Sequence, residues 1–395
     1  MTIPGRSTVP NISPQDLSWP FWPVVPLYPY GKRRTLRKEV IKDTVWTFEQ
    51  CQGILYVVVP IRMTVVKLAA GGLLVYAPVA PTPECIRLVN ELVDAHGEVK
   101  YIILPTVSGI EHKVFVGPFA RCFPTAQVFV SPHQWSFPVN LPLSWLGFPG
   151  KRTQKLPLDS HQTPFADDFD YAILGPLNLG LGPFEEVAFY HKRSHTLLLT
   201  DSIISVPSNP PEIIEIDPYP LLFHARDNGL EIIEDTIKNR CKGWQRIVLF
   251  ALYFRPGALG EVQWRPVLQD ALKAPDRSRK AYYGLFPFQW DDNWKVSFER
   301  LNKQQLSVAP ILQGVIFNRS PLEVLSWVDR VSTWGFNRII SAHFTAPISA
   351  QSTQFREAFD CLRHPDYNLD NEDFQLIQEI AQKLTKVGIT PPSKL

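Results

Sequence analysis

A chain of 395 residues, 45% hydrophobic and 20% charged, is long enough to bury a large core and is not composed like a disordered segment. Its formal charge of +2 speaks against a nucleic-acid partner, and no apolar run approaches the ~20 residues of a membrane-spanning helix. The five cysteines are scattered and never spaced Cys-x-x-Cys, which argues against thiolate metal sites and disulfides and predicts a reducing compartment, read here as the cytoplasm.

Residues 1–44 read as an arm. Its start, MTIPGRSTVPNISPQ, lacks the apolar core of a secretory signal. The segment DLSWPFWPVVPLYPYG follows, and because residues before proline avoid the helical region, 19–29 are predicted to be extended. Trp19, Phe21 and Trp22 either pack on the domain or anchor a protein partner. The basic run Lys32-Arg33-Arg34 with Arg37-Lys38 reads as a solvated strip beside the packed arm; peripheral contact with an anionic membrane is the weaker reading.

Short strands are predicted at 45–48, 54–59, 63–68 and 73–76, with Gly71-Gly72 marking a hairpin between the last two. A helix over 83–95 ends at Gly97, and a strand follows at 101–104. After a short helix-like stretch comes a strand at 127–130. Residues 133–170 are an irregular, Pro- and Trp-rich excursion, and strands return at 171–174, 187–190 and 196–200. From about 205 to 308 the pattern changes to helices, with 243–254 and 262–272 as the clearest. A helix at 321–333, a strand at 338–341 and a last helix capped by Asp370 complete the chain. Strands alternating with helices at both ends indicate an α/β fold with an inserted helical region.

The stretch KYIILPTVSGIEHKVFVGPFARCFPTAQVFVSP resembles the metallo-β-lactamase superfamily, whose Thr-His-x-His-x-Asp-His loop lies between just such a strand and helix. In that alignment Val107 and Gly109 stand where two histidines belong, Glu111 replaces the aspartate and His112 is kept. The run EVAFYHKRSHTLLLTD resembles the hairpin ending in the metal-bridging aspartate, here Asp201. FNRIISAHFTAP resembles the strand that delivers the last histidine, here His343. Gly182 falls where a further histidine is expected, and Tyr76-Ala77-Pro78 replaces the usual Asp-x-Gly turn. More closely, RMTVVKLAAGGLLVYAPVAPTPE, FYHKRSHTLLLTDSI and RIISAHFTAPI resemble an uncharacterised family of this superfamily, a domain of unknown function met mainly in photosynthetic organisms.

The resemblance implies a four-layer αββα sandwich over 45–350, with a mostly helical insertion at about 205–308 and C-terminal helices in 351–395 packed on the same domain. It also implies that the first metal site is lost, while the second survives in type as Glu111, His112, Asp201 and His343. Two imidazoles and two carboxylates suit one Zn, Fe or Mn ion. The leading expectation is a mononuclear metal-dependent hydrolase acting on a small molecule, with Glu111 as ligand or general base. The alternative is a non-catalytic binding or assembly protein that keeps the scaffold without metal. His133 and His161 are weaker candidates for replacement ligands.

Overall fold

The structure is a computed structural model that describes residues 12–21, 23, 26–107, 109–136, 140–180, 182–363 and 372–394. Runs of β-branched and aromatic residues pair into two sheets. The first, of seven strands in chain order, comprises β1 (Leu36–Ile41), β2 (Val45–Ile54), β3 (Val57–Lys67), β4 (Leu73–Tyr76), β5 (Val99–Leu104), β6 (Gln127–Val130) and β7 (Thr153–Lys155). The second, ordered β12-β11-β10-β9-β8, comprises β8 (Phe169–Asn178), β9 (Pro183–His191), β10 (Thr196–Leu198), β11 (Arg338–Ile340) and β12 (Ile348–Ser349).

Two differences from the sequence reading stand in the first sheet. Residues 36–41, read as part of the arm, form an edge strand against β2. The three runs predicted over 45–68 are two longer strands, joined by a turn at Leu55-Tyr56. Both turn residues have left-handed φ, 51° and 62°, where Gly or Asn is usual, so no turn signal was present. Packing overrides the preference. The Tyr56 ring sits with centroids 5.1–5.4 Å from Tyr28, Tyr219, Phe223 and Tyr282.

The layers follow from the buried faces. Helix α1 (Pro83–His96) is capped by Thr82, whose hydroxyl accepts the Cys85 N–H, and α2 (Val114–Cys122) follows the candidate loop. Their Val89, Leu92, Phe115 and Phe119 pack against Phe48, Met63, Val75 and Ile102 of the first sheet. The opposite face of that sheet, with Val45, Leu74, Ile103 and Phe129, meets Phe169, Tyr171, Phe189 and Leu198 of the second. Residues 205–308 contain α3 (Glu212–Glu215), α4 (Tyr219–Ala225), α5 (Ile237–Tyr253), α6 (Trp264–Lys273) and α7 (Trp294–Asn302). The ends of this segment meet, because Ile204 and Ser307 exchange two backbone hydrogen bonds of 2.9 and 3.0 Å. Trp244 and Val248 of α5, with Trp327 and Val328 of α8 (Pro321–Val331), cover Ala172, Ala188 and Leu197 on the outer face of the second sheet. The result is the expected αββα order. Helices α9 (Ser352–Glu357) and α10 (Gln375–Lys386) close the chain; the predicted cap Asp370 lies outside the described residues.

The described part of the arm lies on its own domain. Trp19 is 3% exposed and meets Phe115 edge-on at 5.3 Å. Phe21 is 45% exposed, leans on Trp19 and carries Arg121 over its ring; Trp22 lies outside the described residues. Of the basic strip one residue is buried and most of the others are paired at the surface. Arg33 is buried and donates to the carbonyl of Cys51, while Arg34 pairs with Glu84, Arg37 with Glu91, and Lys38 with Glu212.

Candidate metal centre

Three strand ends converge on one point. The chain leaves β5, passes Thr106 and enters a π-turn over Gly109–Lys113 that runs into α2, so Glu111 and His112 lie in the wide turn before the helix. Asp201 follows β10 and His343 follows β11, parallel neighbours in the second sheet. The sheets are stitched together beside the site: Val107 donates to the Glu185 carbonyl (3.3 Å) and Val187 to that of Pro105 (2.7 Å).

His343 Nε2 lies 3.0 Å from Glu111 Oε2 and 3.1 Å from Asp201 Oδ1. Ligand atoms of these three residues all lie within 4.8 Å of one another, close enough to share a metal ion. The side chains are 25%, 19% and 11% exposed for Glu111, Asp201 and His343, so the cluster is open to solvent on one side. His112, the fourth expected ligand, is not one of this group. It is fully buried beside it, with Nδ1 3.1 Å from the Pro78 carbonyl and Nε2 without a hydrogen-bond partner among the described residues. His343 has the same arrangement, its Nδ1 3.0 Å from the Pro60 carbonyl. A carbonyl only accepts, so each Nδ1 carries the proton and each ring turns Nε2 toward the other side. For His112 that is the tautomer in which histidine ligates a metal through Nε2, and His343 reaches it on losing the Nε2 proton that faces the two carboxylates.

The electrostatics match this donor set. Burial opposes charge on His343, but Glu111 and the hydrogen bonds to both carboxylates outweigh it and hold the ring well above its ordinary value of 6.5. Glu111 answers in the opposite sense: burial raises it, yet the His343 charge and hydrogen bond bring it down to about 2. His112 is pushed below 6.5, chiefly by burial, and so keeps a free lone pair on Nε2. A buried imidazole lone pair beside two carboxylates and a second imidazole suits a divalent cation.

A second layer of residues holds these groups, and sequence reasoning passed over it. Glu186 is fully buried, and its carboxylate accepts the N–H groups of Thr200 (2.6 Å), Asp201 (3.2 Å) and Ser202 (2.9 Å), which fixes the turn presenting Asp201. Burial and the neighbouring Asp201 push Glu186 up to about 7. Arg62 on β3 is 2% exposed; it binds Glu49 at 2.9 and 3.0 Å and donates to the carbonyls of Ser341 and Phe344 on either side of His343. A signal was present for both: an arginine in the apolar run VVVPIRMTVV and paired glutamates in PFEEVAFY are charges placed where a strand is buried.

The positions of the expected missing ligands are filled by apolar groups. Val107 is buried, and a Cβ on Gly182 would fall 2.5 Å from the Trp135 ring. Trp135 is held in turn by Lys113, whose Nζ donates to its carbonyl at 2.7 Å and which burial lowers to about 8. His133 is not a replacement ligand within the cluster. Its Nδ1 lies 2.5 Å from the buried Glu185, on the face of β9 opposite to Glu186. His161 lies on an exposed turn after Asp159.

No curated protein matches the chain. Solved structures of similar shape include a metallo-beta-lactamase from Pontibacter korlensis, 9% identical, covering 83% of this chain and 99% of that one with a TM-score of 0.37. A metal-soaked flavodiiron core, Flv1, from Synechocystis is 10% identical over 91% of this chain and 71% of that one, with a TM-score of 0.43. A flavoprotein from Thermotoga maritima is 8% identical over 84% and 61%, with a TM-score of 0.41. Residues 42–361 match a family described as a domain of unknown function, and the chain belongs to that family, DUF4336.

Proposed function

We propose that this protein is a mononuclear metal-dependent hydrolase of a small molecule, its ion held by Glu111, Asp201 and His343 with His112 Nε2 as a further donor. One observation carries the reading: two histidines, on loops from different sheets, each have Nδ1 fixed on a proline carbonyl, and the Nε2 of His112 is buried without a partner among the described residues. A Zn, Fe or Mn ion there would polarise a substrate carbonyl and acidify water. The chain's own groups have separate tasks. Glu111, held at about 2, is ionised throughout the physiological range; it serves as ligand and counter-charge, since so weak a base takes up few protons near neutral pH. Asp201 is aimed by Glu186, and His343 by Pro60 and Arg62. Trp135 stands over Gly182, the position where the superfamily resemblance places a further histidine. The absence of disulfides among the five cysteines supports a reducing compartment, the cytoplasm in this reading.

The second reading is a binding or assembly protein without metal. It is favoured by the contacts of His343 Nε2 to both carboxylates, which leave all three groups paired without an ion. The test is a hydrolysis screen over esters, lactones, lactams and phosphodiesters, using protein reconstituted in turn with Zn²⁺, Mn²⁺ and Fe²⁺. Turnover lost in both Glu111→Ala and His343→Ala supports the enzyme. Failure of every metal form to bind or turn over supports the second reading.

A further inference from the structure

Helix α6 has an apolar arc that the rest of the molecule covers only in part. Val267 and Ala271 are buried, but Trp264, Leu268 and Leu272, spaced four residues apart on the adjoining stripe, are 60%, 55% and 69% exposed. Tyr283 stands 64% exposed in the turn that packs on the same helix, where Gly284 abuts Ala271 and Ala274. The polar border of this ridge is cationic: Arg265, Lys273, Arg277 and Arg279 are all exposed. Two exposed acids of the stretch, Glu261 and Asp276, offset part of this charge, so the four cations leave a net surplus of two. Glu261 faces Arg255 at 3.9 Å, and Asp276 accepts the Ser278 N–H at 2.8 Å.

We infer that α6 and the 277–283 turn dock this protein on an anionic membrane surface, with Trp264, Leu268 and Leu272 entering the boundary between headgroups and acyl chains. The site lies in the helical insertion, and the inference is independent of the metal centre. Charge selects the occupant. A second copy seated symmetrically on this face would bring the four cations against their own images. An anionic bilayer complements them. Shape agrees. The three apolar side chains form a projecting ridge, as a helix does when it lies in the plane of the interface, and a tryptophan stands at its edge.

The test is co-sedimentation of the full chain with phosphatidylcholine vesicles, with and without phosphatidylserine, alongside light scattering to read the oligomeric state. Binding is expected only with phosphatidylserine and is expected to fall with salt. Trp264→Ser/Leu268→Ser/Leu272→Ser should lower the partition constant on the order of a hundredfold. Arg277→Glu/Arg279→Glu should lower it at least about tenfold. These side chains are exposed, so the variants should keep the wild-type melting temperature; Trp264→Ser alone serves if the triple variant does not fold. Three results would overturn the inference: equal binding to both vesicle types, binding unchanged in the variants, or no vesicle binding together with a dimer that the triple variant dissolves.

Discussion

The carbonyl oxygen of Pro60 stands 3.0 Å from Nδ1 of His343, and this contact decides which nitrogen the ring shows to Glu111 and Asp201. Pro60 lies in the middle of β3, two residues from Arg62, so a single strand sets both the tautomer of His343 and the path of the loop around it. The site is therefore built from the sheet outward.

Arg62 is the most exposed of these supports to mutation. Arg62→Ala leaves Glu49 buried with only Lys38 at 3.8 Å and deprives two carbonyls of their donor. Urea unfolding should show a loss of about 3–5 kcal/mol. The double variant Glu49→Gln/Arg62→Met should lose less than Arg62→Ala alone, because no buried charge is stranded.

Glu186→Ala removes no metal ligand but unpairs the N–H groups of Thr200, Asp201 and Ser202. Metal affinity is expected to drop about 10–100-fold, read by competition with a chromophoric chelator. Glu185→Ala, on the opposite face of the strand and joined to His133, should leave the affinity within a few-fold of wild type.

His191 and His224 are buried bases, lowered by desolvation to about 4 and about 3. Both lie below the ordinary 6.5, so between those limits the unfolded chain binds more protons than the folded one. Their stabilising contribution is present above pH 6.5 and is lost as the pH falls through the window, at about 1.4 kcal/mol per pH unit for each histidine. In chemical denaturation at stepped pH, His224→Gln should lower this slope by about one proton.

Gly182 has φ +133°, and a Cβ there would meet the Trp135 ring at 2.5 Å. Gly182→Ala should cost about 1–3 kcal/mol in thermal unfolding. In a Trp135→Ala background the same change should cost less, since the steric part is removed and only the backbone part remains.

Much of this was legible in the sequence. Periodicity placed α1, β4, β5, β6 and α8, and the resemblance brought Glu111, Asp201 and His343 to one point. Three kinds of feature were not legible. The Leu55-Tyr56 turn has residues that do not favour left-handed φ, and only the aromatic cluster around Tyr56 explains it. The buried charges of Arg62 and Glu186 stood out in their apolar runs, but what they hold did not, and the Pro60 and Pro78 carbonyls act on histidines distant in sequence, which no local pattern encodes. Trp135 fills the space over Gly182 from within a stretch that reads as irregular, because its position is set by Lys113 and not by a strand or helix.

Calorimetric titration of the metal-stripped protein with Zn²⁺, repeated in buffers of different ionisation enthalpy, tests the metal centre most directly. His343 carries a proton on Nε2 in the free protein, so binding through that atom must release it. The expected result is about one ion per chain with about one proton released, binding abolished in His343→Ala and weakened in His112→Ala. Absence of binding, or binding that survives unchanged in His343→Ala and Glu111→Ala, would contradict the assignment and leave the cluster as an ion pair that ties three loops together.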